Sequence, residues 1–323
     1  MKFRWERPSC PICQTQRHLQ PLYLGVTTWE YPGQFNYLKC SRCGLVIQSP
    51  RVPANQVGQY YHSKTYWGWD VTKAHQQLDW ASVRQQQYGP LYKYILSYKP
   101  PGKILDIGSG LGLFLSLFKE RGWETWGTEI SVPVAKFGKK TFGIQAKIGQ
   151  LEKLNLPQKY FDVITLSGVF EHLYEPRMVL RKIRTLIKPD GLLVLVVPNI
   201  ESMGSIIFAS RWKSLEPGRH VFHYSPTNLA HMLKMEKFTV TKTCHDYWIH
   251  NYYSLFTNIK YLLSPKFKKL PQGGAANPKV NVPAPSLTKF IGKLGADVLA
   301  FGGAIVEPLV GRGESIVVYA IPS

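Results

Sequence analysis

Acidic residues are scarce in this chain: 20 Asp and Glu stand against 40 Lys and Arg in 323 residues, a formal charge of +20. That surplus suits polyanionic partners but cannot choose among nucleic acid, an anionic membrane surface and phosphorylated small molecules. Cysteine is scarce too. Of the five present, four form two C-x-x-C pairs, too sparse a set for a secreted disulfide framework and better suited to a reducing compartment. The start "MKFRWERPSC" carries no apolar run of signal-peptide type, and no stretch of ~18 uncharged apolar residues occurs anywhere. These absences argue against export and against a membrane span. The expectation is a cytoplasmic protein, with surface attachment to a membrane left open.

What is present is core material. Hydrophobic residues make up 44% and aromatics 13% of the chain, enough for a globular protein of roughly two domains at ~150 residues each. Residues 1–50 hold Cys10 and Cys13 in "CPIC" and Cys40 and Cys43 in "CSRC", with short β-type runs "FNYLKC" and "GLVIQ". Two such pairs separated by 26 residues, Gln14 to Lys39, supply four thiolates with knuckle spacing for a tetrahedral structural zinc. With every position filled by sulfur, no site remains for an activated water, so this metal is not expected to do chemistry.

Residues 51–100 read as a helical lead-in, with Leu78, Val83, Leu91, Ile95 and Leu96 on candidate helices that end before Pro100-Pro101. From 101 to 323 the pattern alternates. Strand "KILDI", turn "GSGLG" and helix "LFLSLFKERG" are followed by strand "ETWGTEI" and a helix opened by Ser131, then strand "FDVITL", helix "PRMVLRKIRTLI", turn "KPDG" and strand "LLVLVVP". Apolar strands without alternation, separated by amphipathic helices, predict a mostly parallel sheet with helices on both faces, an α/β fold. Further on come a Ser-capped helix "SPTNLAHMLKMEKF", a strand "TVTKTC", an insertion at about 250–310 and a last strand "ESIVVYAI". Within the insertion, Pro, Gly and Asn in "LPQGGAANPKVNVPAPS" suit a linker. The apolar segment at about 285–310, interrupted by Lys289, Lys293, Asp297 and Glu307, suits packing on the protein's own core or peripheral contact with a membrane rather than a span.

The loop "ILDIGSGLG" places Gly108, Gly110 and Gly112 at the mouth of a helix, where backbone can approach a ligand closely. Its G-x-G-x-G spacing, with Leu113 after Gly112, departs from the dinucleotide fingerprint. Asp106 beside the loop would repel a pyrophosphate and is more comfortable beside a cation. Glu129 ends the second strand of this region about 20 residues on, the distance at which a carboxylate accepts from ribose hydroxyls. The pair suits an adenosyl ligand carrying an ammonium and a sulfonium.

With "ILDIGSGLG", "TEIS", "GQLEKLNLPQKYFDVITLSGVFEHL", "IKPDGLLVLVVPN" and "GRGESIVVYA" in order, the chain from about Tyr60 to Ser323 resembles the class I S-adenosylmethionine-dependent methyltransferases. The resemblance implies a Rossmann-like core with a seven-stranded sheet and S-adenosylmethionine as methyl donor. It implies that Asp106, Gly108, Ser109, Gly110, Gly112, Glu129, Ile130, Gln150, Leu151 and Ser167 surround that donor, with Gln150 where the family often has Asp. The position after "VITL" lacks the Asn/Asp-Pro-Pro-aromatic motif of amino-group methylases of nucleic acids, and no Pro-Cys stands there for attack on a pyrimidine carbon.

Glu171-His172 instead resembles the "EH" of small-molecule methyltransferases. Gly168 occupies the place of the further carboxylate with which some of these bind a metal, so no catalytic metal is expected. His172, with His220 and His223 of "GRHVFHYSP", are candidate bases for a nucleophile's proton. Arg211, Trp212 and Arg219 flank the same loop. The leading expectation is methyl transfer to an oxygen or carbon of a small molecule or glycan-type precursor. The alternatives are an RNA methyltransferase using the basic surface and the zinc ribbon, and a sensor that binds S-adenosylmethionine without turnover. The sequence sets no oligomeric state.

Overall fold

The structure, a computed structural model, describes residues 5–27, 33–56, 79–245 and 311–323. The insertion expected at about 250–310 and its membrane-surface segment lie outside the described residues, as do 57–78 of the lead-in. Strands β1 (Leu19–Val26), β2 (Phe35–Cys40) and β3 (Val46–Gln48) come first, followed by helix α1 (Trp80–Tyr98). The alternating core runs through β4 (Lys103–Ile107), α2 (Leu113–Lys119), β5 (Glu124–Glu129), α3 (Val132–Phe142), β6 (Ala146–Ile148), β7 (Phe161–Ser167), α4 (Pro176–Leu186) and β8 (Ile187–Pro198). Then come α5 (Met203–Phe208), β9 (Phe222–His223), α6 (Pro226–Met235), β10 (Phe238–His245) and β11 (Ser315–Pro322).

Seven strands form the main sheet in the order β10-β11-β8-β7-β4-β5-β6. The strands from β8 to β6 in that order are parallel, whereas β11 runs antiparallel to both β8 and β10. The expected Rossmann-like arrangement is therefore present. The unalternating apolar runs are buried on both faces: Ile104 and Leu105 of β4, Val163 and Ile164 of β7, and Leu192 to Leu195 of β8 are fully enclosed. Helix α4 lays Val179, Leu180, Ile183 and Leu186 into the core, each contributing roughly 2 kcal/mol of hydrophobic burial. On its other side Arg177 and Arg181 hold Glu236.

Helix α1 stops at Lys99, ahead of Pro100, as read; its start is capped by Asp79, which accepts from the Ala81 and Ser82 amides and was not singled out in the sequence. Tyr88 and Tyr92 of α1 set their rings against Phe114 and Phe118 of α2. Ser225 and Asn228 form a reciprocal capping box on α6. One element differs from expectation. "KPDG" does not end a turn before a separate strand; it belongs to β8, whose partners jump from Phe161↔Ile187 to Val163↔Leu192. Five residues of β8 thus span two of β7, and the turn residues form a bulge inside a continuous strand.

The cysteine segment is joined to the core by backbone pairing. Its sheet has the order β1-β2-β3-β9, so the fourth strand comes from the histidine loop. Val46 pairs with His223 and Ile47 with Phe222. The Gln48 amide donates to the Val221 carbonyl, and the Gly218 amide donates to Gln48 Oε1. Tyr37 Oη donates to the Leu215 carbonyl, and Tyr174 Oη to the Val52 carbonyl at 2.6 Å. The Arg51 guanidinium, paired with Glu6, stacks on Tyr174 and Phe222. Cys10, Ile12, Cys40, Leu45 and Ile47 share one hydrophobic cluster with Phe170, Val221, Phe222 and Tyr224.

The substitution Cys40→Ser is expected to remove hydrogen-exchange protection from the Gln48 and Gly218 amides while leaving β4, β7 and β8 protected. Loss of protection across all of these strands at once would show instead that ribbon and sheet open as one unit.

Candidate functional site

Two groups of side chains meet at the carboxyl ends of the parallel strands. The crevice falls where β4 has β5 on one side and β7 on the other, the switch point of the sheet.

The first group surrounds the glycine loop. Gly108 has φ +71°, and a Cβ there would lie 2.5 Å from Val169 Cγ2; Gly112 has φ +77°, and a Cβ would lie 2.7 Å from Ile144. Glycine is required at both on conformation and on space. The loop is tied to β5 by the Ser109 amide, which donates to the Thr128 carbonyl, and by the Gly110 amide, which donates to Glu129 Oε2 at 3.0 Å. Glu129 Oε1 accepts from the Ser131 amide, so the backbone fixes this carboxylate from both sides. Asp106 accepts from Thr165 Oγ1 at 2.6 Å. Burial pushes its carboxyl up to about 7 against that hydrogen bond, and the Glu129 charge adds to the rise. Glu129 is raised as well, again chiefly by burial. Two enclosed acids side by side form an electrostatic hole that suits a cationic ligand. Leu151 is buried next to Gln150, which is exposed, and Ile130 is about one-third exposed. Ser167 ends β7.

The second group lies on the turn after β7 and on the loop before β9. Glu171 and His172 sit in a short 3-10 turn, Phe170–His172. His172 and His220 meet edge to face with ring centroids 4.6 Å apart, and His220 and His223 lie 5.9 Å apart. All three candidate histidines are therefore brought together. His220 Nδ1 is 2.8 Å from the Ser214 carbonyl and His172 Nδ1 is 3.1 Å from the Arg219 carbonyl. A carbonyl only accepts, so each Nδ1 carries the proton, and in the neutral ring Nε2 keeps the lone pair. His220 Nε2 faces Glu216 at 3.5 Å and Glu171 at 3.9 Å.

Burial keeps the rings neutral. His172 falls to about 3, with the His220 charge adding to the burial effect, and His220 and His223 are also lowered by burial. Glu171, 2% exposed, is pushed by burial up to about 8, and its Oε2 has no hydrogen-bond partner. Glu216 goes the other way: against its burial, the charges of His220, Arg219 and His172 hold it at about 2. Because His220 is itself kept neutral, the permanent Arg219 cation, bonded to Glu216, maintains that charge at neutral pH. Val169 against Gly108 joins the two groups.

The four cysteines form a separate cluster with all sulfurs within 4.8 Å of one another. Cys10 and Cys43 are 3.4 Å apart and Cys13 and Cys40 3.8 Å, close to the ~3.8 Å between corners of a tetrahedron with ~2.3 Å Zn–S bonds. The donor set therefore fits zinc. Cys244, read from the sequence as a core residue, lies on β10 beside the second core cluster. Trp212 is buried, its Nε1 donating to Glu314 Oε2, so it supports the loop and does not present an open face.

Sequence reasoning missed Glu216, Gln48 and Thr165. Glu216 stands in "EPGRH", four residues before His220, a spacing that could have marked it as a partner. Gln48 and Thr165 carry no local signal.

The profile of a family described as a methyltransferase domain matches residues 80–243. Among curated proteins, the chain is 25% identical over 134 residues to a ubiquinone/menaquinone biosynthesis C-methyltransferase of Cupriavidus taiwanensis, covering 39% of this chain and 51% of that protein. It is 25% identical over 158 residues to a ubiquinone biosynthesis O-methyltransferase of Histophilus somni, covering 44% and 66%. The chain thus spans about half to two thirds of the length of these relatives. Among solved structures, the magnesium protoporphyrin IX methyltransferase of Synechocystis shares the fold at a TM-score of 0.52 and 14% identity, covering 84% of this chain and 100% of that one. With the profile spanning half of the sequence and the sheet order, glycine loop and acidic strand end in place, the chain belongs to the class I S-adenosylmethionine-dependent methyltransferases.

Proposed function

We propose that this protein transfers a methyl group from S-adenosylmethionine to an oxygen or carbon of a small molecule or glycan-type precursor. The observation that carries this reading is the contact of Val169 with Gly108, which sets the Glu171, His172 and His220 cluster against the loop that would hold the donor. Asp106, Gly108, Ser109, Gly110 and Gly112 would line the donor's polar end, Glu129 its ribose, and Ile130, Gln150 and Leu151 its base, with Ser167 at the strand end beside them. S-adenosylmethionine supplies an electrophilic methyl on a sulfonium, whose sulfur keeps the bonding electrons when the acceptor's lone pair forms the new bond. The protein's tasks are to hold the two reactants in line and to take up the acceptor's proton. The first task falls to the loop and strand ends. The second falls to the histidine cluster, whose rings are neutral at pH 7 and so free to accept.

The same reading assigns Cys10, Cys13, Cys40 and Cys43 to a structural zinc. Held by four sulfurs, it would have no open position for chemistry. Its place in the enzyme is to fix β3, and through β3 the strand that carries His223. The acceptor is small on this reading because "LSGVFEH" lacks the nucleic-acid methylase signatures and the two curated relatives named above are methyltransferases of ubiquinone or menaquinone biosynthesis. Among the described residues no helix is long and apolar enough to cross a membrane.

Calorimetry on zinc-loaded protein should detect S-adenosylmethionine binding, and Glu129→Ala should weaken it by about 10- to 100-fold, the loss of charge-assisted hydrogen bonds worth roughly 1.5 to 3 kcal/mol. Unchanged affinity would remove Glu129 from the site.

The pH dependence follows from Asp106. Its carboxyl, held near 7 in the free protein, must ionise to meet a cation, so affinity should fall by up to about tenfold per pH unit below 7. Asp106→Asn should flatten that slope. A slope that persists in the variant assigns it to another group.

Incubation with S-adenosylmethionine and fractionated metabolite extract should yield S-adenosylhomocysteine. His220→Gln should lower the yield by roughly 10²-fold or more with donor affinity intact. Equal turnover in that variant would take His220 out of the mechanism.

A further inference from the structure

The geometry points to a divalent cation site formed by Glu171, His172 and His220, separate from the four cysteines. One ligand atom from each of these residues lies within 4.8 Å of the others. Sequence alone offers no reason to expect it, since Gly168 leaves the turn without a second carboxylate. The third ligand comes from elsewhere: His220 is brought in from the loop that β9 pins to the ribbon.

Three observations support a cation here. First, both rings give Nδ1–H to backbone carbonyls, His172 to Arg219 and His220 to Ser214, the outer support that fixes ring orientation and leaves Nε2 as the ligand nitrogen. Second, Glu171 is enclosed, and its Oε2 has no hydrogen-bond partner. A buried carboxylate oxygen without a donor is costly unless something positive meets it. Third, carboxyl oxygens of Glu171 and Glu216 face His220 Nε2 at 3.9 and 3.5 Å; Arg219 is bonded to Glu216, so Glu171 is the one left to meet a cation, which would take the place of its proton. Two imidazoles and one carboxylate form a donor set of the kind that holds Fe(II), Mn(II) or Zn(II). A cation there would polarise an acceptor hydroxyl and lower its pKa; with the Nε2 lone pairs of His172 and His220 taken by the metal, the proton would leave to solvent rather than to those two rings, which act as the base only when the site is empty. That last step rests on the methyl-transfer reading given above; the site itself does not.

The test is a titration of protein carrying one zinc per chain with Mn²⁺, followed by the loss of the free-ion electron paramagnetic resonance signal. One Mn²⁺ should be taken up per chain, and Glu171→Gln and His220→Gln should each weaken uptake by at least about tenfold, the size of loss seen when even an outer partner of a ligand is removed. S-adenosylmethionine affinity, measured on the same variants, checks that they are folded. Failure of the wild-type protein to take up Mn²⁺, Co²⁺ or a second Zn²⁺ would overturn the site, as would uptake unchanged in both variants. Since the titration needs neither donor nor acceptor, a protein that binds Mn²⁺ but transfers no methyl sinks the proposed activity and leaves the site standing, and the reverse result does the opposite.

Discussion

Desolvation of carboxylates at the carboxyl ends of the parallel strands governs this molecule. Asp106, Glu129 and Glu171 are all buried there, and among the described residues none of the three forms an ion pair with an arginine or lysine. A buried acid without a counter-ion becomes easier to protonate, and the raised carboxyls of Asp106 and Glu171 are that response. The protein offsets part of the cost with donors: Thr165 to Asp106, and two backbone amides to Glu129. What is left over is affinity for positive charge, in two adjacent places. One opens toward the glycine loop and the other toward the histidines. On the proposed function, a positively charged methyl donor would meet the first demand. The second has no counterpart in the donor's chemistry, which is why it draws attention to itself.

The cysteine segment answers a different physical problem. A ribbon of about fifty residues has too little apolar surface to hold itself together, and small modules of this kind depend on a metal or on a neighbour. This one uses both. Its thiols converge, its apolar residues enter the cluster that contains Phe170 and Tyr224, and its sheet borrows Phe222–His223 from the other part of the chain. The consequence for function runs through Gln48 and Tyr37. Both are buried, and both hold the backbone of the loop from Leu215 to Val221. The walls around His220 are thus set by residues more than 160 positions earlier in the sequence.

That distance also explains what could be read from the sequence and what could not. The strand and helix order, the glycine turn, the acidic strand end and the capping residue Ser225 were legible because each depends on neighbours within a few residues. The four cysteines were legible because tetrahedral ligation imposes spacing. The β3–β9 pairing was not, since two-residue strands carry no pattern, and Tyr37 meets Leu215 across 178 positions. Glu171 and the histidines were each singled out, yet their convergence depends on how the loop before β9 closes over the turn after β7. "KPDG" misled for an instructive reason: its residues favour a turn locally, but β8 absorbs them as a bulge because pairing with β7 resumes at Leu192.

The position of β11 has a consequence for how the chain is made. This strand is synthesised after β8 and β10 yet lies between them, and Ile316 to Ala320 are almost wholly buried there. Until it emerges from the ribosome, β8 and β10 each present an open edge, and the apolar faces on either side have no partner. Closing the sheet therefore waits on contacts of long sequence separation, which form slowly. A nascent chain of this design spends its synthesis with two sticky edges exposed, the circumstance in which chaperones are recruited.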